Sequence, residues 1–176
     1  MLIMETWRLV TAAPLGGLPV DLVQVPAQTV DELSAVIREH HLSFIGYGEC
    51  CVWGDAGALR RLVTILVTHG ISNSAPGRDI DVQVWRYGDV ICLTVEDEGW
   101  GDPPGHTDRQ FRPFTRVEDS AGVAHSYGAS LLPVKRIADA HSATLAVQGA
   151  RGTGTTFEVC FPDPSHQAET KTPKSW

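Results

Sequence analysis

The sequence lacks the features of proteins that bind nucleic acid or cross membranes. Its 176 residues include 14 basic and 21 acidic side chains, so the formal net charge is −7, and the basic residues form no cluster. An acidic chain without a basic patch lacks the electrostatic footprint of nucleic-acid binding. No apolar run is long enough to span a bilayer, and residues 1–8 lack the charged-then-apolar order of a signal peptide. We therefore expect a cytoplasmic protein with no nucleic-acid partner and no membrane span in this chain.

Cysteine is also scarce. The four cysteines are Cys50, Cys51, Cys92 and Cys160, and no two of them form a C-x-x-C pair, which argues against a zinc site. Adjacent Cys50 and Cys51 are a poor start for a disulfide framework. Cys92 and Cys160 lie in apolar runs, so we expect them to be small core residues in a reducing compartment.

Turn-forming and apolar residues, by contrast, are abundant. The chain has 17 glycines, 11 prolines and 43% hydrophobic residues, which suits one domain with a sizeable core and many turns. Apolar spacing predicts helices at 4–12, 29–40, 55–72 and 128–141, and strands at 42–45, 49–53, 80–85, 90–95, 144–148 and 155–161. Thr29 and Asp55 are the candidate N-caps. This order predicts an α+β fold, a two-layer sandwich of a mixed, mainly antiparallel sheet packed on about three helices.

The most informative stretch follows the apolar strand at 90–95. Asp97, Gly99 and Gly101 come directly after it. A carboxylate can accept a hydrogen bond from an exocyclic amine, and glycines let a flat ligand approach the backbone. The pattern fits a purine pocket, and it also fits an ordinary turn.

Four segments in order resemble the catalytic ATP-binding domain of two-component sensor histidine kinases, in the gyrase, Hsp90, histidine kinase and MutL superfamily. Residues 53–62 (WGDAGALRRL) resemble the entry to the first ATP-site helix, and residues 95–101 (VEDEGWG) resemble the first Gly box. Residues 110–116 (QFRPFTR) resemble the phenylalanine box, and residues 128–141 with 152–157 (GTGTTF) resemble the second Gly box and closing hairpin. The resemblance implies a Bergerat-type fold over residues 15–162. Residues 1–14 would be the end of a dimerisation-type helix, and residues 163–176 a disordered tail.

The resemblance also implies which residues bind ATP and Mg²⁺. On the adenine side these are Asp97, Gly99, Gly101 and Thr155, with Trp100 placed either to stack on a base or to plug the pocket. The positions expected nearer the phosphates are His69, Asn73, Gly128 and Ser130. Residues 102–127 would form a lid, anchored by Phe111 and Phe114 and carrying Arg112 and Arg116 towards the phosphates.

The chain departs from the family pattern where phosphate chemistry should occur. The family carries two asparagines four residues apart on the long helix, and here these positions are Ile65 and His69. Ile65 cannot coordinate a metal, and the nitrogen of His69 is a poor ligand for Mg²⁺. Ser72 and Asn73 occupy the next turn, and the second Gly box keeps Gly128 but has Ser126 and Ser130.

Two functions therefore stay open. In the first, the domain donates phosphate from ATP to a histidine supplied by a partner kinase or by a missing dimerisation domain, in a pathway with a response regulator. In the second, it is a catalytically impaired pseudokinase or scaffold that docks a response regulator or partner kinase without ATP turnover. Residues 40–43 (HHLS) lack the acid and proline of a phosphoacceptor box, and we expect them at a solvent-facing helix end.

Overall fold

The structure, a computed structural model, describes residues 17–101, 117–118, 124–125, 128–150 and 152–165, and for 117–118, 124–125 and 128–130 it describes the backbone alone. The helices are α1 (Gln24–Val36), α2 (Ala56–Ser72) and α3 (Gly128–Ala140). The strands are β1 (Leu18–Asp21), β2 (His41–Gly46), β3 (Cys51–Gly54), β4 (Asp79–Tyr87), β5 (Val90–Asp97), β6 (Val117–Glu118), β7 (Ala124–His125), β8 (Thr144–Gly149) and β9 (Thr155–Pro162). None of these three helices is long and apolar enough to cross a membrane.

Several predictions fall outside the described residues. These are the helix at 4–12, most of the 102–127 loop and the end of the chain from 166 onwards. The expected lid residues Phe111, Arg112, Phe114 and Arg116 belong to this set.

The centre of the fold is a five-stranded sheet in the order β2-β4-β5-β9-β8. Only β2 and β4 pair in parallel, and the other neighbours in this sheet are antiparallel. β1 and β3 form a separate antiparallel pair. Three helices on a mixed, mainly antiparallel sheet confirm the predicted α+β sandwich.

The core lies between the helices and one face of the sheet. Because successive side chains of a strand point to opposite faces, every second residue of β5 and β9 is buried there. Helix α2 supplies the apolar side chains that face the sheet, and they recur every three or four residues along the helix. These residues are at most 1% exposed: Ile91, Leu93, Val95, Phe157, Val159, Phe161, Leu59, Leu62, Val63, Leu66 and Val67. Full burial of one such side chain contributes about 2 kcal/mol, so this layer stabilises the fold substantially.

Helix α1 begins earlier than predicted. It starts at Gln24, so Thr29 is not its N-cap; the Thr29 hydroxyl instead donates to the Val25 carbonyl oxygen at 2.8 Å. Pro26 is accommodated because the first-turn N–H groups of a helix have no intrahelical partner. The Asp21 carboxylate accepts from the Val23 N–H at 2.8 Å and so anchors the entry to the helix.

The end of α1 was also predicted wrongly. The helix stops at Val36, and His40 lies in the following turn with only 9% exposure, not at a solvent-facing helix end. The Gly77 N–H donates to the Glu39 oxygen at 2.6 Å, and the His41 N–H donates to the Arg78 oxygen at 3.2 Å. Pairing of this segment with the entry to β4 therefore takes precedence over its helical pattern.

The prediction that Cys92 and Cys160 are separate small core residues is wrong, because the two form a disulfide. They face each other on the adjacent strands β5 and β9. The pairing of these strands joins residues 68 positions apart, so the bond depends on a register that local sequence patterns do not reveal. Cys50 and Cys51 are free thiols.

The described chain continues in contact with the fold just beyond β9. Asp163 is 1% exposed, and its Oδ2 lies 2.9 Å from Nε of Arg86. Arg86 also donates to the Glu49 carbonyl oxygen at 2.9 Å, and the Asp163 N–H donates to the Asp89 oxygen at 2.9 Å. This network fixes the chain against the β4–β5 turn.

Candidate functional site

Asp97 and Thr155 lie opposite each other at one end of the central strand pair. Asp97 is the last residue of β5 and Thr155 the first of β9, and the register pairs them directly. They are 3% and 5% exposed respectively. Helix α2 passes close by at Gly70, where an added Cβ would lie only 3.1 Å from the Cβ of Asp97. The structure thus brings together a buried carboxylate, a buried hydroxyl and bare helix backbone.

The turn after Asp97 is held from both sides. The Asp97 Oδ1 accepts from the Gly99 N–H at 2.8 Å. The Trp100 N–H donates to the Asn73 oxygen at 3.1 Å, and the Trp100 oxygen accepts from the Gly152 N–H at 2.7 Å. The turn therefore bridges the end of α2 and the β8–β9 hairpin.

Gly101 is required by the geometry of this turn. Its φ is +64°, a conformation that side-chain-bearing residues rarely adopt. A Cβ there would also lie 2.0 Å from the Ala150 carbonyl oxygen. The adjacent Trp100 side chain is 61% exposed, so it does not plug the site.

His69 is a buried, neutral residue of α2. It is 7% exposed, and its ring makes an edge-to-face contact with Phe157 at a centroid distance of 5.3 Å. Burial lowers the pKa of His69 to about 4, because the charged imidazolium is poorly solvated there. Its neighbour one turn earlier, Ile65, packs against the hydrophobic core.

The remaining polar groups at the end of α2 are used to cap the helix. The Asn73 side-chain amide donates to the His69 carbonyl oxygen at 2.7 Å, and the Ser74 hydroxyl donates to the Gly70 oxygen at 2.8 Å. Of the expected phosphate-side residues, Gly128 and Ser130 are described only as backbone in the first turn of α3.

These residues do not form a recognisable metal site. Within the described ranges, the His, Cys, Asp or Glu side chains close enough to share an ion are Cys92, Glu158 and Cys160, on another part of the sheet, and the disulfide between the two sulfurs leaves no thiolate to ligate a metal. His69 is not part of such a group. Its neutral nitrogen and the alkyl chain of Ile65 do not suit Mg²⁺, which prefers oxygen ligands.

The start of α2 depends on a histidine that the sequence did not single out. Asp55 caps the helix as predicted, and its carboxylate accepts from the Ala58 N–H at 2.7 Å. The Asp55 N–H itself donates to Nε2 of His141 at 3.0 Å. Because Nδ1 of His141 lies 2.7 Å from the Ile137 carbonyl oxygen, that nitrogen carries the proton. His141 thereby links the end of α3 to the start of α2 across 86 residues, a distance over which sequence spacing gives no signal.

Comparison with known proteins gives a consistent result. Residues 54–165 match the model of a family described as "Histidine kinase-, DNA gyrase B-, and HSP90-like ATPase". The sensor histidine kinase RppB of Synechocystis sp. is 28% identical over 159 residues, which is 90% of this chain and 34% of RppB. This chain therefore spans about a third of the length of that relative.

Solved structures share the fold. The catalytic domain of histidine kinase ThkA superposes with a TM-score of 0.72 at 18% identity, covering 86% of this chain and 99% of that one. Full-length ShkA, solved in complex with AMPPNP, superposes with a TM-score of 0.71 at 22% identity, covering 86% of this chain and 32% of that one. With the family model matching more than half of the chain, the protein belongs to the histidine kinase-, DNA gyrase B- and HSP90-like ATPase family, as a catalytic ATP-binding domain of the sensor histidine kinase type.

Proposed function

We propose that this domain binds the adenine of ATP at Asp97 and donates the γ-phosphoryl group to a histidine on another protein or domain. The observation that carries the proposal is the buried Asp97–Thr155 pair, followed by the glycine turn. The Asp97 carboxylate accepts a hydrogen bond from the exocyclic amine, and the turn lets the flat base approach the backbone. ShkA, which contains a domain of the same fold, was solved in complex with the ATP analogue AMPPNP, and this supports nucleotide binding as a function of the domain.

The acceptor histidine is proposed to lie outside this sequence. His40 is buried in a turn and His41 begins β2, so neither lies within a helix of the described chain. The partner would be a histidine-bearing dimerisation domain or a partner kinase, with a response regulator receiving the phosphoryl group. Phosphoryl transfer depends mainly on positioning and charge stabilisation. Arg112 and Arg116 are the residues of this chain proposed to supply positive charge from the lid.

A second function is favoured by the residues on α2. Ile65 packs against the core, and burial keeps His69 neutral with a pKa of about 4. Both properties support a pseudokinase that docks a response regulator or partner kinase and does not turn over ATP. Under this proposal the adenine site is retained while the Mg²⁺ site is lost.

Titration with a fluorescent adenine nucleotide, with and without Mg²⁺, separates the two functions. For the kinase we expect micromolar binding that strengthens when Mg²⁺ is added, and for the pseudokinase we expect binding that Mg²⁺ leaves unchanged. Asp97→Asn tests the adenine contact, since Asn can still accept from the Gly99 N–H but presents an amide donor in place of one carboxylate oxygen. A charge-assisted hydrogen bond contributes about 1.5–3 kcal/mol, so affinity should fall about 10- to 150-fold.

The matched control is Glu96→Gln, which removes an exposed charge from the preceding residue, on the opposite face of β5. It should bind nucleotide like the unmodified chain. If the unmodified chain fails to bind at millimolar nucleotide, adenine binding is excluded. If Asp97→Asn binds as tightly as Glu96→Gln, the nucleotide lies elsewhere.

A gain-of-function variant tests the loss of the metal site. Ile65→Asn with His69→Asn places amide oxygens at both positions, and amide oxygens suit Mg²⁺. If loss of these ligands is what distinguishes the pseudokinase, the double variant should gain Mg²⁺-dependent affinity. Mg²⁺-dependent binding already present in the unmodified chain would contradict the pseudokinase.

A further inference from the structure

The disulfide between Cys92 and Cys160 lies on the face of the sheet opposite the helices. Along β5, Ile91, Leu93 and Val95 point into the core, so Cys92 points to the other face. Exposed residues such as Glu96 and Thr144 mark that face as open to solvent. The bond therefore lies outside the packed core, at the third of the eight residue pairs that join β5 and β9.

The two sulfurs differ in their access to solvent. Cys92 is 4% exposed, and its direct neighbour on β4 is the partly buried Trp85. Cys160 is partly exposed, and its direct neighbour on β8 is the exposed Thr144. A small thiol can therefore reach Cys160 from the β8 side more easily than it can reach Cys92.

We propose that Cys92 and Cys160 form a reversible dithiol–disulfide pair that exchanges with cellular dithiol reductants through attack at Cys160. A thiolate of the reductant bonds to the Cys160 sulfur, the bond between the two cysteines breaks, and its electron pair leaves on Cys92, which takes a proton. The second thiol of the reductant loses its proton and attacks the mixed disulfide, releasing Cys160, which is protonated in turn. In sum the protein gains two electrons and two protons, and the reductant becomes a cyclic disulfide.

Glu158 controls the rate of this exchange. Its carboxylate lies within 4.8 Å of both sulfurs, on the same face of β9 as Cys160. A negative charge at that distance disfavours both the approaching thiolate and the departing Cys92 thiolate. Because only part of a charge develops in the transition state, Glu158→Gln should speed reduction by about two- to fourfold.

The bond encloses the residues of the proposed nucleotide site. The segment between the two cysteines contains Asp97, the glycine turn and Thr155. Cross-linking a loop of this length restricts the unfolded chain, so reduction should lower the urea midpoint by about 1–2 M. The redox state would therefore shift the stability of the whole fold, including the proposed nucleotide site.

The test is to equilibrate the full chain in buffers of reduced and oxidised dithiothreitol and then to unfold it in urea with excess iodoacetamide, because Cys50 and Cys92 are buried in the folded chain. The blocked cysteines are then mapped by peptide mass spectrometry. We expect Cys92 and Cys160 to become blocked together, reversibly, as the buffer becomes more reducing. Cys50 and Cys51 serve as internal references, because neither takes part in this bond. Cys160→Ser should leave Cys92 blocked at every ratio.

Two results would overturn the proposal. In the first, Cys92 and Cys160 stay blocked even in the most oxidising buffer, so the bond does not form. In the second, the native protein stays oxidised at every ratio and is reduced only after unfolding, so the bond is structural and does not exchange. A reduction rate for Glu158→Gln equal to that of the unmodified chain would overturn the role given to Glu158.

Discussion

At the proposed nucleotide site, Gly154 lies so close to the backbone of Asp97 that a side chain on Gly154 would clash with it. Gly152, two residues earlier, is a matched control for substitution at Gly154. Both glycines have nearly the same φ, +82° and +83°. A Cβ on Gly154 would lie 1.7 Å from the Asp97 carbonyl oxygen, whereas a Cβ on Gly152 would meet nothing within 4 Å. Replacing each by alanine therefore separates the cost of the backbone conformation from the cost of the contact.

The conformational cost is common to both variants. Forcing an alanine into the left-handed region costs about 1–2 kcal/mol, so Gly152→Ala should lose about that much stability. Gly154→Ala must in addition move the β9 entry away from Asp97 by roughly 1.5 Å, since a carbon–oxygen contact needs more than 3 Å. That shift breaks the pairing of Asp97 with Thr155 and costs about 1–1.5 kcal/mol for each backbone hydrogen bond lost. We expect Gly154→Ala to lose about 3 kcal/mol or more.

Urea denaturation measures both losses, and the nucleotide titration tests their consequence. Gly154→Ala should bind adenine nucleotide much more weakly than Gly152→Ala, because it displaces the carboxylate proposed to contact the base. If the two variants are equally stable and bind nucleotide equally well, the close approach of Gly154 to Asp97 does not exist in solution.

Three further predictions concern α2. The pKa of His69 is about 4 in the folded chain and about 6.5 in the unfolded chain, so between these values the unfolded state binds more protons and the free energy of unfolding falls by about 3 kcal/mol as the pH drops from 6.5 to 4. Urea denaturation at several pH values in this range measures that fall. In His69→Gln the dependence on pH should become weaker by this amount, and an unchanged dependence would contradict the prediction. Gly54→Ala should be destabilising, since its Cβ would lie 2.3 Å from the His141 ring, and His141→Ala should relieve that clash. In a double-mutant cycle, the stability lost by the double variant should therefore be smaller than the sum of the losses of the two single variants by at least about 1 kcal/mol. Simple additivity of the losses would contradict the clash. Asp55→Ala should lower the free energy of unfolding by about 1 kcal/mol by removing the cap of α2, while Asp55→Ser should retain most of that stability. Thermal denaturation compares the two variants. Equal losses of stability would show that the cap contributes little.

Local patterns in the sequence determined most of the secondary structure. The alternation in β4, β5 and β9, the stripe on α2 and its Asp55 cap follow from side-chain period and capping chemistry, which act over a few residues. The resemblance over four segments then led to the family and the fold class, both of which the comparisons confirm. The roles of individual site residues remain predictions.

The features missed by the sequence analysis are those that depend on distant partners. Helix α1 ends at Val36 because the chain beyond it pairs with the entry to β4, although the helical pattern itself continues to residue 40. The link from His141 to Asp55 and the bond between Cys92 and Cys160 join residues 86 and 68 positions apart. The sequence alone therefore determined most of the helices and strands and the family to which the chain belongs. Only the tertiary structure decided which side chains meet, because strand register and helix docking are set by packing across the whole domain.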